Sequence, residues 1–232
     1  MNLYEIDKDS IGVLTYNVPH RKTYDTLCLL KAKGYKKIYV FALPLHYNKV
    51  FKALYEHRPQ LNYEINSIEE LCNNLNFYYM EIKNMYEITL KENSKILICG
   101  AGIIPEEVRK KYRIINSHPG YIPNSRGLDA LKWAILNHDI IGVSSHLIGD
   151  EVDAGYIIER NIVPIYKNDT FHALSQRVYE TEIKMLVEAI EKLEKKELEY
   201  IAAADTILHK RMPLELEKKL LEKFDELRVK IE

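Results

Sequence analysis

Five short apolar runs separated by helical patterns constrain this chain more than any other feature. The runs are Ile11–Tyr16, Lys37–Leu43, Phe77–Ile82, Ser94–Cys99 and Arg113–Asn116. After the first comes a helical pattern with Tyr24, Leu27 and Leu30 on one face and Gly34 placed as its C-terminal cap. Residues 47–57 are expected to be helical. Ser67-Ile68-Glu69-Glu70 fits a capping box and opens a short helix. Pro105 starts another, with Glu106 and Glu107 where the helix dipole favours anions. Strands alternating with helices imply a mostly parallel sheet with right-handed crossovers. The expected fold class is α/β, a Rossmann-like mostly parallel sheet with helices on both faces.

Further along, the pattern predicts a helix over 127–138, a strand over 141–148 and a strand over 156–165 that could run antiparallel to it. A long helix over 170–194 carries Leu174, Val178, Met185, Ala189 and Leu193 at helical spacing. Asn168-Asp169-Thr170 reads as its N-cap. These elements make a main domain of residues 1–195 and a short C-terminal helical appendage of residues 196–232. In the appendage, Leu198–Ile207 is expected to be extended. Pro213 opens a helix whose Leu216, Leu220, Phe224, Leu227 and Ile231 form an apolar stripe. Two uses are open for that stripe: packing on its own domain, or a contact that makes a homodimer.

The chain has 232 residues, with 33 basic against 34 acidic side chains. A net charge of −1 argues against a general nucleic-acid binder. No apolar stretch approaches the ~20 residues of a membrane span. Met1–Asp7 lacks the basic and apolar regions of a signal peptide. Cys28, Cys72 and Cys99 form no C-x-x-C pair, which suits free thiols in a reducing, cytoplasmic setting.

The chemistry-bearing residues cluster after the fifth run. Asn116 and His118 are two apart, so a strand turns both to one side. Pro119 has no N–H and stops the ladder. The two polar groups should therefore stand at a strand's C-terminal end, where open α/β sheets place ligands. Asp153-Ala154-Gly155 follows 35 residues after the histidine. An amide, an imidazole and a carboxylate suffice to move an acyl group onto an amine. His118, His146, Asp150 and Asp153 match no strong zinc spacing, and no metal is expected.

The fuller pattern runs Asn116-x-His118-Pro119-Gly120-x-Ile122-Pro123-x-x-Arg126-Gly127, then Trp133-Ala134-Ile135, Gly142-Val143-Ser144-Ser145-His146-Leu147 and Asp150-Glu151-Val152-Asp153-Ala154-Gly155. Over about residues 95–165 it resembles the folate-dependent formyltransferases, which act on glycinamide ribonucleotide, methionyl-tRNA or amino sugars. Arg126-Gly127 followed by Trp133 resembles the sugar and tRNA branches. The resemblance implies catalytic roles for Asn116, His118 and Asp153, with 10-formyltetrahydrofolate as co-substrate. It implies a folate-lining loop at Ile98, Cys99, Gly100, Ala101, Gly102, Ile103 and Ile104. Arg126 is a candidate anchor for a substrate phosphate or the folate tail, and Tyr121 a candidate lining of the acceptor cleft. The loop Tyr16–His20 after the first strand has no glycine to let backbone amides approach a phosphate. The expected acceptor is therefore a nucleotide-linked amino sugar. Glycinamide ribonucleotide or another amine, hydrolysis of the formyl-folate, and a catalytically idle binding domain stand as alternatives.

Overall fold

The computed structural model describes residues 10–45, 52–61, 67–195, 197–202 and 207–229. The chain forms two compact units, one from residues 1–48 and 60–116, the other from 49–59 and 117–232.

The first unit contains β1 (Ile11–Tyr16), β2 (Ile38–Leu43), β3 (Tyr78–Glu81), β4 (Lys95–Ile98) and the start of β5 (Arg113–His118). They lie in the order β3-β2-β1-β4-β5, and each neighbouring pair is parallel. The connections carry helices α1 (Arg21–Ala32), α2 (Ile68–Leu75) and α3 (Glu106–Lys111). Val13, Leu14, Val40, Phe41, Ile96, Leu97 and Ile115 are fully buried, which is why these strands read as unbroken apolar runs. Ser67 caps α2 by accepting the Glu70 amide at 3.0 Å. Gly34 follows α1 at φ +85°, a conformation that costs a glycine little. The mostly parallel α/β arrangement expected from the alternation is the one observed.

In the second unit the ladders change. Its strands are β6 (Arg126–Gly127), β7 (Gly142–Leu147), β8 (Gly155–Ile162), β9 (Glu199–Ile201) and β10 (Leu208–His209). β7, β8 and β9 pair antiparallel, and β10 pairs parallel to β6. Helices α4 (Ala130–Asn137), α5 (Phe171–Lys192), α6 (Leu214–Glu217) and α7 (Leu220–Val229) complete it. Thr170 caps α5 through the Ala173 amide, as the sequence suggests.

Three expectations need correction. Residues 52–57, inside the helix expected over 47–57, are not helical; residues 47–51 lie outside the described set. The Leu54 amide there donates to the Glu217 carboxylate at 2.9 Å instead of to a helical carbonyl. The helix expected over 127–138 begins only at Ala130, because Arg126–Gly127 is drawn into a strand by β10. The helix expected from Pro213 is two helices, α6 and α7. The Lys219 amide bonds back to Leu216, a three-residue span that tightens the turn between them.

The apolar stripe has a partner in its own unit. Leu220 and Phe224 are buried in a cluster with Leu131, Ala134, Ile135, Val143, Phe171 and Val178, and Leu227 packs against it. Leu220, Phe224 and Leu227 thus pack within the chain, Leu216 is half-buried, and Ile231 lies outside the described residues.

Candidate functional site

Asn116 and His118 both lie on β5, two residues apart, and face the same way by the strand's period. The two units meet in sequence between Asn116 and Ser117. The described geometry is therefore that of His118 within the second unit and of the loop after β4 within the first.

His118 is 4% exposed, and both of its ring nitrogens face oxygen. Nε2 lies 2.7 Å from the Ser125 carbonyl, and Nδ1 lies 3.4 Å from Asp153 Oδ2. A carbonyl can only accept, so Nε2 donates to it, and Nδ1 is the nitrogen turned toward the carboxylate. The Ser125 carbonyl is delivered by a tight turn, with the Ser125 amide bonded to the Tyr121 carbonyl at 3.0 Å. Ser144 pins the same loop from β7: its hydroxyl donates to the Gly120 carbonyl at 3.0 Å and accepts the Ile122 amide at 2.9 Å. Gly120 is required by space. A Cβ there would stand 2.3 Å from the Ser125 carbonyl oxygen and 2.7 Å from His118 Nε2.

Asp153 sits in the turn between β7 and β8, at φ +47°. Its Oδ2 accepts the Gly127 amide at 2.9 Å, and its Oδ1 lies 3.8 Å from His146 Nε2. The carboxylate thus stands between two imidazoles. His146 is fully buried, with Nδ1 3.2 Å from the Leu147 carbonyl. The β7–β8 register shifts at Ser145/His146, with Ile158 of β8 as the extra residue.

The remaining expected residues fall out differently. The Arg126 side chain is 2% exposed, and its Nε lies 3.1 and 3.0 Å from the carbonyls of Val152 and Asp153. It braces the turn that carries Asp153. The Tyr121 ring lies against the Gly142 end of β7, with the Arg160 guanidinium 5.7 Å from its centre. That is the opposite end of β7 from His146.

The loop after β4 is set by backbone. The amides of Cys99 and Gly100 both donate to the Leu14 carbonyl, at 2.9 and 3.1 Å. Gly100 lies under the Tyr16 ring, where a Cβ would be 2.7 Å from the nearest ring carbon. Cys99 and Ile104 are buried, while Ile103 is 90% exposed. Gly102 has open space around it. Among the described residues, no cluster of three or more His, Cys, Asp or Glu could hold a metal ion. No helix among them is long and apolar enough to cross a membrane.

Sequence reasoning missed four contributors. Ser125 acts through its carbonyl and Gly127 through its amide, so neither side chain could signal the role. Gly120 is explained only by a contact. His146 was visible as a histidine on a strand, but its approach to Asp153 at 3.8 Å was not.

Residues 89–190 match the formyl transferase family. The chain is 32% identical over 149 residues to a methionyl-tRNA formyltransferase from Fusobacterium nucleatum, a match covering 60% of this chain and 47% of that one. It spans less than half the length of the curated relatives it matches. Among solved structures, an N-formyltransferase from Helicobacter canadensis in complex with folinic acid and dTDP-3-aminofucose superposes with a TM-score of 0.62. The identity is 17%, with 91% of this chain and 79% of that one covered. A phosphoribosylglycinamide formyltransferase from Anaplasma phagocytophilum gives 0.57 at 17% identity, covering 89% and 100%. At these identities the structural matches speak for the fold.

Proposed function

With residues 89–190 a formyl transferase segment, we propose that this chain moves a formyl group from 10-formyltetrahydrofolate to the amine of a nucleotide-linked amino sugar. The observation that carries the chemistry is the buried His118–Asp153 contact, 3.4 Å, at the end of the strand that also holds Asn116.

In the reaction an amine nitrogen attacks the formyl carbon, and the C–N10 bond of the folate breaks. The amine gives up a proton, and the leaving N10 takes one. Asn116 offers an amide N–H to the formyl oxygen as it gains negative charge. One such donor is worth on the order of 10²–10³ in rate. His118 manages the proton. Nε2 is held by Ser125 and Nδ1 faces Asp153, so the ring must release a partner or work through the carboxylate. Asp153 fixes the ring and balances positive charge on it.

The loop Ile98–Ile104 suits the folate: it follows a parallel strand, exposes Ile103 and leaves the space beside Gly102 open. For the acceptor, the glycine-free Tyr16–His20 loop supports a ligand gripped by more than one phosphate. The solved relative holding dTDP-3-aminofucose supports the same reading.

The test is a kinetic comparison. The purified chain is given formyl-folate with a panel of nucleotide-linked amino sugars, glycinamide ribonucleotide and methionyl-tRNA. Formylation of at least one nucleotide-linked sugar, with little of the other two, is expected. A far better rate with glycinamide ribonucleotide or methionyl-tRNA would move the acceptor to that class and leave formyl transfer intact. Folate release with no amine present would point to hydrolysis.

A further inference from the structure

The matched formyl transferase segment ends at residue 190, yet the tail beyond it reaches the groups that hold Asp153. β10 lies beside β6, with Leu208 opposite Arg126 and His209 opposite Gly127. The Leu128 amide donates to the His209 carbonyl at 2.9 Å. Gly127 has φ +91°, and a Cβ on it would meet the His209 carbonyl oxygen at 2.1 Å. The tail backbone therefore lies directly against the peptide whose amide donates to Asp153 Oδ2.

Three further contacts fasten the tail. The His209 ring stacks on Trp133, centroids 4.5 Å apart and planes 14° from parallel. Trp133 Nε1 donates to the Lys210 carbonyl at 2.8 Å. The Met212 amide donates to Asp129 Oδ2 at 2.9 Å, and Asp129 is itself held at φ +54°. Each contact joins the tail to the segment Arg126–Trp133, and that segment touches Asp153 twice: through the Gly127 amide and through the Arg126 guanidinium.

We propose that residues Leu208–Met212 form a strap that positions Asp153 through the Gly127 amide, with His209 on Trp133 as its fastening. The strap touches no reacting atom; His209 and Trp133 are positioning residues. The physical ground is that a two-residue strand such as Arg126–Gly127 has no ladder of its own. Without β10 that peptide keeps only the Arg126 side-chain bonds as an anchor, and the amide that orients the carboxylate loses its backbone support. This inference rests on the formyl-transfer reading, in which Asp153 orients His118.

The test uses the full chain with His209→Ala, His209→Phe and Trp133→Phe. Two quantities are measured: kcat and KM for formyl transfer, and hydrogen exchange of the Gly127 amide. His209→Ala should lower kcat about tenfold, in the range that small misplacements cost, with KM for the formyl-folate nearly unchanged. Its Gly127 amide should exchange faster. His209→Phe keeps the stack and should restore both. Trp133→Phe loses the donor to Lys210 and should show the same pattern more weakly; it carries the test if His209→Ala does not fold. Unchanged exchange at Gly127, or faster exchange with an unaltered kcat, overturns the strap. A wild-type chain that transfers no formyl group to any amine overturns the proposed function instead, and the exchange measurement still reads the strap by itself.

Discussion

Asp153 Oδ2 stands 3.4 Å from His118 Nδ1 while accepting the Gly127 amide at 2.9 Å. The carboxylate is thereby fixed from the backbone side before it meets the imidazole. His118 is fixed in turn by the Ser125 carbonyl at its other nitrogen. The main-chain carbonyl of Ser125 and the main-chain amide of Gly127 thus hold the pair from its two ends.

Removing either partner should abolish most of the activity without unfolding the chain. His118→Ala is expected to lose roughly 10²–10⁴ in turnover. Asn116→Ala and Asp153→Ala should be severe as well, and double variants strongly non-additive. Steady-state kinetics beside a circular dichroism melt check this, and near-wild-type turnover in any single variant removes that residue from its role.

Gly120→Ala tests the packing around the ring. The added methyl would overlap the Ser125 carbonyl and crowd His118 Nε2, so one of them must move. A loss of about 1–3 kcal/mol in stability is expected, as for other overpacked sites. Turnover should fall more than the melt implies. A fully active variant would mean that the ring has room that the contacts deny.

Gly100 and Gly102 make a matched pair in the loop after β4. A Cβ at Gly100 meets the Tyr16 ring at 2.7 Å, whereas at Gly102 it meets nothing within 4 Å. If that loop lines the folate, Gly100→Ala, through the Tyr16 ring, and Gly102→Ala, through a methyl placed in the open space, should both raise the KM for formyl-folate. An unchanged KM in Gly102→Ala would separate the loop from folate binding.

The C-terminal region offers a stability test. Lys132 and Glu217 form an ion pair at 1% and 0% exposure, and Glu217 also takes the Leu54 amide. Lys132→Met alone should cost about 3–5 kcal/mol, because it strands a buried carboxylate. Lys132→Met with Glu217→Leu should recover much of that loss in denaturant melts. A double variant as unstable as the single one would shift the weight to the Leu54 contact.

His57 supplies a pH dependence. Burial pushes its pKa down to about 3, and the neighbouring Arg58 and Lys132 add to the effect. That outweighs the Asp129 carboxylate 3.9 Å away, which is already engaged by the Met212 amide. The folded ring stays neutral where the unfolded one, near pH 6.5, takes up a proton. Unfolding therefore binds a proton between about pH 6.5 and 3, and stability falls as pH drops through that window. The contribution approaches ~1.4 kcal/mol per pH unit. His57→Gln should flatten the fall in melting temperature between pH 7 and 4; an identical slope would assign the effect to other groups.

Much of the first unit was legible in the sequence. Buried parallel strands must be apolar on both faces, so their runs stand out, and Ser67 and Gly34 mark helix ends by local chemistry alone. Asn116, His118 and Asp153 stood out within the resembled pattern, and the structure adds the 3.4 Å contact between the last two. The tail was legible only in part. Its stripe at 216–227 announced a buried face, but the pattern is the same for a face covered by another copy and one covered by its own chain. Nothing local said that α4 would cover it, or that Leu54 would spend its amide on Glu217.

What the sequence by itself determined is therefore the set of elements that close within a few residues: strand runs, caps and the order of the polar groups. The tertiary structure alone decided that β10 lies on β6, that the Gly127 amide meets the Asp153 carboxylate, and that His146 approaches the same carboxylate. The Gly127 amide meets a carboxylate 26 positions away, and the Met212 amide meets one 83 positions away. Every residue but proline carries the same amide and every residue the same carbonyl, so a sequence does not mark which of them will meet.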